Sequence, residues 1–180
     1  MKFTRLTPKN LGKEHVCCAI IECILDSKEK GVLGLCIISS LKKKPFLPDP
    51  KYLNYKGFQI ADMAKPKFTL FYLPFSEDAP KPCFCFQVKT PEIQKLGFVL
   101  YYSHQCPFTA KYVPLLEASA PEMGILFKTV LIDSKEKAKN VPAAVINFAL
   151  FYHGQFVIHE ILSIGKFEKL AEKLRKQNED

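Results

Sequence analysis

Cys106 is the side chain in this sequence best placed to do chemistry. It stands in the run Gly97-Phe98-Val99-Leu100-Tyr101-Tyr102-Ser103-His104-Gln105-Cys106-Pro107-Phe108-Thr109-Ala110-Lys111-Tyr112. The apolar, β-branched and aromatic first half predicts a buried strand. A short polar turn follows, then the cysteine, then Pro107 in a place that suits a first helical residue. A thiol there faces unpaired backbone N–H groups and the positive end of a helix dipole, and both favour thiolate over thiol. The chemistry implied is attack on a disulfide or formation of a mixed disulfide. The fourth residue of Cys106-Pro107-Phe108-Thr109 is threonine, so no second cysteine stands there to close an internal disulfide.

The neighbours of the thiol each have a chemical reading and an ordinary one. Thr109 can hydrogen-bond the thiolate, or return its hydroxyl to the backbone. His104 can steady the thiolate as a cation or move protons, or stand as an exposed turn residue. Tyr101 and Tyr102 point to opposite faces of the strand. One belongs to the core, and Tyr102, with Pro107 and Pro142, is expected to line a substrate groove. His159 alternates with apolar residues and reads as structural. A resolving thiol must come from Cys83, Cys85, glutathione or a partner.

Stepping outward, the elements that position these residues follow from pattern. After the Cys106 helix, Gly124 to Ile132 is strand-like, with Gly124 ending the helix before it. Asp133 or Ser134 can cap a short helix over 135–139. Ala143 to Tyr152 is mostly apolar, His153-Gly154 signals a turn, and Gln155 to Ile161 reads as a strand. Phe167, Leu170, Ala171 and Leu174 share one face of a last helix. The order β-α-β-α-β-β-α is that of a thioredoxin fold. Pro142 lies in the segment where such a fold places a cis-proline beside the thiol, and a cis or a trans bond is open there.

The N-terminal part reads as α-β-α-β-β: a helix over 16–30, a strand over 32–40, a short helix over 52–57 and strands from Phe58 and Phe68. The stretch from Pro74 to Pro91 holds four prolines and an irregular pattern, and reads as a linker.

Composition bounds the rest. The 180 residues are 48% hydrophobic and 24% charged, which suits a globular domain or two small ones. No apolar run approaches the ~18 residues of a membrane span, and Glu22 interrupts the only signal-like window, so the expected location is cytoplasmic. The seven cysteines are an odd number. Cys17 and Cys18 are adjacent, and Cys23 and Cys36 sit in apolar contexts, so they read as buried reduced thiols. Cys83 and Cys85 have no partners at zinc-site spacing, so no metal is expected. The net charge of +8 is spread along the chain, with one tight cluster at Lys42-Lys43-Lys44. No basic helix with interleaved aromatics appears, so no specific nucleic-acid partner is expected. The lysine triple reads as a solvated loop, with a phosphate-facing role as the alternative.

Residues from about 97 to 174 resemble the YoaP-like domain. The words that carry the resemblance are Tyr102-Ser103-His104-Gln105-Cys106-Pro107-Phe108-Thr109, Leu150-Phe151-Tyr152-His153-Gly154-Gln155-Phe156-Val157 and His159-Glu160-Ile161-Leu162-Ser163. In that family the domain follows a GNAT-type N-acetyltransferase. Residues 16–73 are similar to the back half of such a domain. Ile21 to Gly31 resembles the helix after the acetyl-CoA loop, and Leu35 to Ser40 the strand that follows it. Lys42 to Phe46 and Lys51 to Phe58 resemble the segment leading to the usual Gly-Phe ending.

Two features depart from the family. Its pyrophosphate loop, Arg/Gln-x-x-Gly-x-Gly/Ala, is not matched by residues 11–20, where Gly12 is the only glycine. Leu53 stands where many members of the superfamily carry a general-acid tyrosine. The resemblance therefore implies a GNAT-like half domain over 1–74, a linker over 75–95 and a thioredoxin-like domain with a central mixed sheet over 96–180, an α/β (mixed α+β) chain overall. Acetyl-CoA is the cofactor of the full-length family, and none is expected for this chain. The expected function is a monothiol redox or thiol-binding module, with a non-catalytic interaction domain as the alternative. A thiol or disulfide partner, and association through an uncovered sheet edge, are the partner expectations.

Overall fold

The computed structural model describes residues 14–177, with side chains from residue 21 onward. Gly12 lies outside the described residues, as do the side chains of Cys17 and Cys18.

Helix α1 (Glu14–Glu29) leads into β1 (Gly34–Ser39), the short α2 (Pro50–Tyr55), β2 (Gln59–Ala64) and β3 (Phe68–Pro74). The three strands form an antiparallel sheet of order β1-β3-β2. Central strand β3 is buried from Phe68 to Tyr72, as a middle strand covered on both faces should be. Leu53, Phe58 and Phe71 form a small core there, joined by Ile24 and Tyr52. Asp49 caps α2 by accepting the Lys51 N–H at 2.9 Å.

Of the described side chains of α1, none is fully buried. Ile24 reaches the core while Ile21, Cys23 and Leu25 are exposed, and Cys36 of β1 is exposed too. The expectation that Cys23 and Cys36 are buried thiols is therefore corrected. Apolar neighbours in the sequence did not mean an inward-facing position in the fold.

The second sheet is built from β4 (Phe98–Tyr102), β5 (Phe127–Leu131), β6 (Phe148–Tyr152) and β7 (Gln155–Ile158), in the order β5-β4-β6-β7. Strands β4 and β5 are parallel, and β4–β6 and β6–β7 are antiparallel. A parallel pair needs a crossover, which α4 (Pro107–Glu122) supplies. Helices α5 (Lys135–Asn140) and α6 (Ile164–Lys176) complete this part, and Ser134 caps α5 by accepting the Lys137 N–H.

Alternation along β4 divides the core in two. Phe98 and Leu100 face α4 and α6, where they meet Val113, Leu116, Phe167 and Ala171. Val99 faces the other side with Ile132, Val141 and Phe151, and Ala138 of α5 packs there. Tyr102 and Tyr101 follow the same split, one to each cluster. The β6–β7 turn sets His153 at φ 45° and Gly154 at φ 87°. A Cβ at Gly154 would lie 2.4 Å from the Ile93 carbonyl, so only glycine fits.

The proline-rich stretch is pinned to both sheets and carries a short helix, α3 (Phe86–Lys89). Asp62 of β2 accepts the Phe84 N–H at 2.9 Å and pairs with Lys89 at 2.9 Å. The Lys89 ammonium and the N–H groups of Phe84 and Met63 hold the Asp62 carboxyl down to about 2. Farther along, Gln87 Nε2 donates to the Lys139 carbonyl at 2.8 Å and the Ile93 N–H to the Gly154 carbonyl at 2.9 Å. The sheets also meet directly. Phe68 of β3 sets its ring 5.7 Å from Phe156 of β7 and 5.4 Å from His159, both edge to face.

Candidate functional site

Strand β4 delivers the chain to a tight turn, and Cys106 occupies the position before the first residue of α4. Its backbone is extended (φ −111°, ψ 123°), its side chain makes no capping hydrogen bond, and Pro107 begins the helix. The thiol is free and half-buried. It stands where the helix N-terminus leaves donors without intrahelical partners.

The structure assigns the neighbours differently from the sequence reading. Thr109 is fully buried, and its hydroxyl lies 2.8 Å from the Ser103 carbonyl and 2.6 Å from the Cys106 carbonyl. Its proton is committed to those oxygens, so Thr109 braces the turn and is not a donor to sulfur. His104 is exposed and sets its ring edge to face on Tyr102, 5.8 Å away. It lines a cavity with Asp133, Lys135 and Ile146 rather than the one that Cys106 lines. Tyr102 packs against the core on the α4 side, where burial and, less, the Glu117 carboxylate push its phenol up. It lines neither cavity, which corrects its expected place in a groove. Pro107 is exposed at the helix start.

Pro142 is corrected as well. The cis peptide bond among the described residues is Lys65–Pro66, so the Val141–Pro142 bond is trans. Pro142 is buried between Val141 and Ala143 in the chain and does not line the Cys106 cavity. The residues of that connection that reach the Cys106 cavity are Val145 and Asn147. Cys83 and Cys85 are exposed, and neither lines that cavity.

That cavity has a volume of about 330 Å³. Cys106, Phe108 and Phe148 form one side. His159 and Ile161, just after β7, form another, and Phe46 and Leu47 of the β1–α2 loop close over it. Phe46 holds φ 59° with 82% of its surface exposed. A bulky residue in the left-handed region is strained, and such strain gathers at functional sites.

His159 is 7% exposed, and neither ring nitrogen makes a hydrogen bond of good geometry. Burial lowers its basicity and the Lys67 charge adds to this, against smaller opposite effects of Glu160 and the Pro45 backbone. A lowered basicity favours the neutral imidazole, in which one ring nitrogen is an acceptor. A thiol and such a base opening onto one cavity are the elements of an activated cysteine. The sequence reading assigned His159 a structural role. Its alternation with apolar residues gave no sign that Phe46, Leu47 and Phe68 would enclose it.

The shift has a consequence for stability. An unfolded histidine titrates near ~6.5, and the folded ring titrates lower. Below ~6.5 the unfolded state takes up the proton first, so stability falls as pH falls through that window and is flat above it. Urea melts between about pH 5 and 8 should show this slope, and His159→Gln should reduce it.

Among the described residues no group of three or more His, Cys, Asp or Glu side chains is arranged to hold a metal ion. No helix among them is long and apolar enough to cross a membrane.

Comparison with known proteins bears on the strands around this cavity. Residues 127–169 match the YoaP-like family model. The YoaP-like match runs from β5 into α6 and includes His159, whereas Cys106 and its turn precede it. Over 166 residues the chain is 38% identical to the "Uncharacterized N-acetyltransferase YoaP" of Bacillus subtilis (strain 168). That similarity covers 92% of this chain and 65% of the relative, so the chain spans a little under two thirds of the relative's length. The chain is thus related to a protein named as an N-acetyltransferase. No solved structure matches it.

Proposed function

We propose that this chain carries a thiol-reactive module in which Cys106 is the nucleophile and His159 its base, joined to a segment of a GNAT-type N-acetyltransferase. The single observation behind this reading is that the half-buried thiol at the start of α4 and the buried imidazole of His159 open onto one cavity. The order β5-β4-β6-β7, with β4–β5 parallel and β6 antiparallel, supports a thioredoxin-like description of this part. Similarity to a YoaP-named N-acetyltransferase supports acyl transfer as the activity of the longer relative. A cytoplasmic location belongs to the same reading, because a free nucleophilic thiol persists in a reducing compartment.

In the reaction proposed, His159 takes the proton from the Cys106 thiol. The thiolate attacks one sulfur of a disulfide, a new S–S bond forms and the old one breaks, and the leaving thiolate takes the proton from His159. With glutathione disulfide the product is Cys106 carrying one glutathionyl group, plus one reduced glutathione. The apolar walls from Phe46, Phe108 and Phe148 favour a partner with an apolar side chain next to its disulfide.

Mass spectrometry after brief exposure to glutathione disulfide tests this. Cys106 should be modified before Cys23, Cys36, Cys83 and Cys85, and Cys106→Ser should remove the fast adduct. Modification of the exposed cysteines first would overturn the reading.

A further inference from the structure

Cys83 and Cys85 are two free, exposed thiols with one residue between them, and neither lines the Cys106 cavity. From Ala79 to Cys85 the chain forms no helix, strand or turn, and Cys85 itself is extended (φ −62°, ψ 153°). Successive side chains of an extended segment point to opposite sides, so Cys83 and Cys85 share one side and Phe84 takes the other. Exposure follows that alternation, with both cysteines exposed and Phe84 half-buried. The segment is also fastened. Asp62 of β2 accepts the Phe84 N–H, and Lys89 of α3 pairs with the same carboxylate oxygen, each at 2.9 Å.

That spacing suits a bridge longer than a disulfide. An extended chain advances about 3.3–3.6 Å per residue, which sets the two Cα atoms roughly 6.6–7.2 Å apart. A disulfide spans about 4.4–6.8 Å between Cα atoms and most often about 5.5–6 Å, so direct closure is disfavoured. A metal ion lengthens the bridge, because two metal–thiolate bonds of about 2.3 Å replace one S–S bond of about 2.05 Å. Two thiolates are too few for a structural zinc site, which takes four ligands. Soft thiolate ligands select Cu(I), a closed-shell ion that two of them satisfy in a line. The resulting complex carries a single net negative charge, and a cation stands beside it. Because Lys89 and the Phe84 N–H share one oxygen of Asp62, the ammonium lies within two hydrogen-bond lengths of the Cys83–Phe84 peptide. The hydrogen bond to Asp62 is the chief stabiliser of the Lys89 ammonium, and the Cys83 sulfur adds a smaller contribution.

We propose that Cys83 and Cys85 bind one Cu(I) ion as a two-coordinate dithiolate, with Lys89 as the neighbouring countercharge. Binding forms two Cu–S bonds and releases the two thiol protons to solvent, with no change in oxidation state. The site shares no residue with the Cys106 cavity, so its failure would leave the thiol reading untouched.

Competition for Cu(I) between the full, reduced chain and a coloured Cu(I) chelator, in the absence of oxygen, tests it. One tightly held ion per chain is expected, and X-ray absorption at the copper edge should show two sulfur ligands. Cys83→Ser and Cys85→Ser should each weaken that ion at least about hundredfold, and the double variant little further, because a chelate needs both arms. Both positions are exposed, so serine should leave the fold intact. Cys36→Ser and Cys106→Ser should leave the affinity unchanged. Lys89→Gln should weaken the ion about threefold at low salt, with the difference fading at about 1 M salt, and Lys89→Arg should retain it. The proposal is overturned by absence of tight binding, or by a loss below about threefold in Cys83→Ser or Cys85→Ser. An equal loss in Cys36→Ser or Cys106→Ser, a third sulfur ligand, or a copper-dependent dimer would overturn it too, because the ion would then be held by other thiols.

Discussion

Replacing His159 with glutamine is expected to slow alkylation of Cys106 about tenfold at neutral pH. The size follows from general thiol chemistry. A thiol of ordinary acidity, ~8.5, is only about 3% thiolate at pH 7, so full activation by a base gains at most about thirtyfold in thiolate. Part of that gain is lost because a less basic thiolate is a poorer nucleophile. Glutamine keeps the size and polarity of the side chain but cannot take the proton. A histidine that merely packed against Phe68 would give a different result, with lowered stability and an unchanged rate at Cys106. Alkylation rates at several pH values separate the two, because only loss of a base makes the variant's rate depend more steeply on pH. His104→Gln should change little, since the exposed His104 ring stands on Tyr102 and outside the Cys106 cavity.

The second large effect concerns the scaffold that holds the turn. Phe167→Ala is expected to cost about 3–5 kcal/mol of stability. Phe167 is fully buried, and its ring meets those of Phe98 and Phe127, each at 5.2 Å. It fastens α6 to the face of the sheet on which α4 also packs. Domains of this size hold about 5–15 kcal/mol in all, so the variant should unfold at much lower denaturant. Phe108→Ala is the matching control, because its ring is mostly exposed. Its cost should stay within about 0.5 kcal/mol. A loss under about 1 kcal/mol for Phe167→Ala would mean that α6 is not the clamp described here.

What could be read from the sequence was what depends on near neighbours. The apolar run from Phe98 to Tyr102, the polar turn and Pro107 carry a strand, a stop and a helix start within a few residues, and the elements formed there. His153-Gly154 similarly marked the β6–β7 turn. The partner of the thiol was not readable in that way. His159 lies after the last strand, and its neighbours at the cavity, Phe46 and Leu47, and the Phe68 ring packed on it come from the first half of the chain. Only the contact between the two sheets makes that histidine a buried base.

The errors have the same origin. Pro142 was linked to the thiol because it is the proline in the connection before β6. The backbone instead brings Val145 and Asn147 to the cavity, three and five residues beyond it. Thr109 was open to two readings until its hydroxyl was found on the Ser103 and Cys106 carbonyls. Cys23 has apolar neighbours in the sequence, but among the described side chains of α1 it is Ile24 that joins the core. The lysine triple divides in the structure. Lys43 turns to Asp49, at 3.6 Å, while Lys42 and Lys44 line a separate cavity with Lys65 and Lys67.

The central claim is that the turn and His159 make Cys106 the reactive thiol of the chain. The most direct test is the alkylation rate of every cysteine in the folded wild-type protein at about pH 6.5, read site by site by mass spectrometry. Cys106 is half-buried while Cys23, Cys36, Cys83 and Cys85 are exposed, so access alone would make Cys106 the slowest of the five. The account predicts that it is the fastest, by about tenfold. A rate at or below those of the exposed cysteines would contradict it.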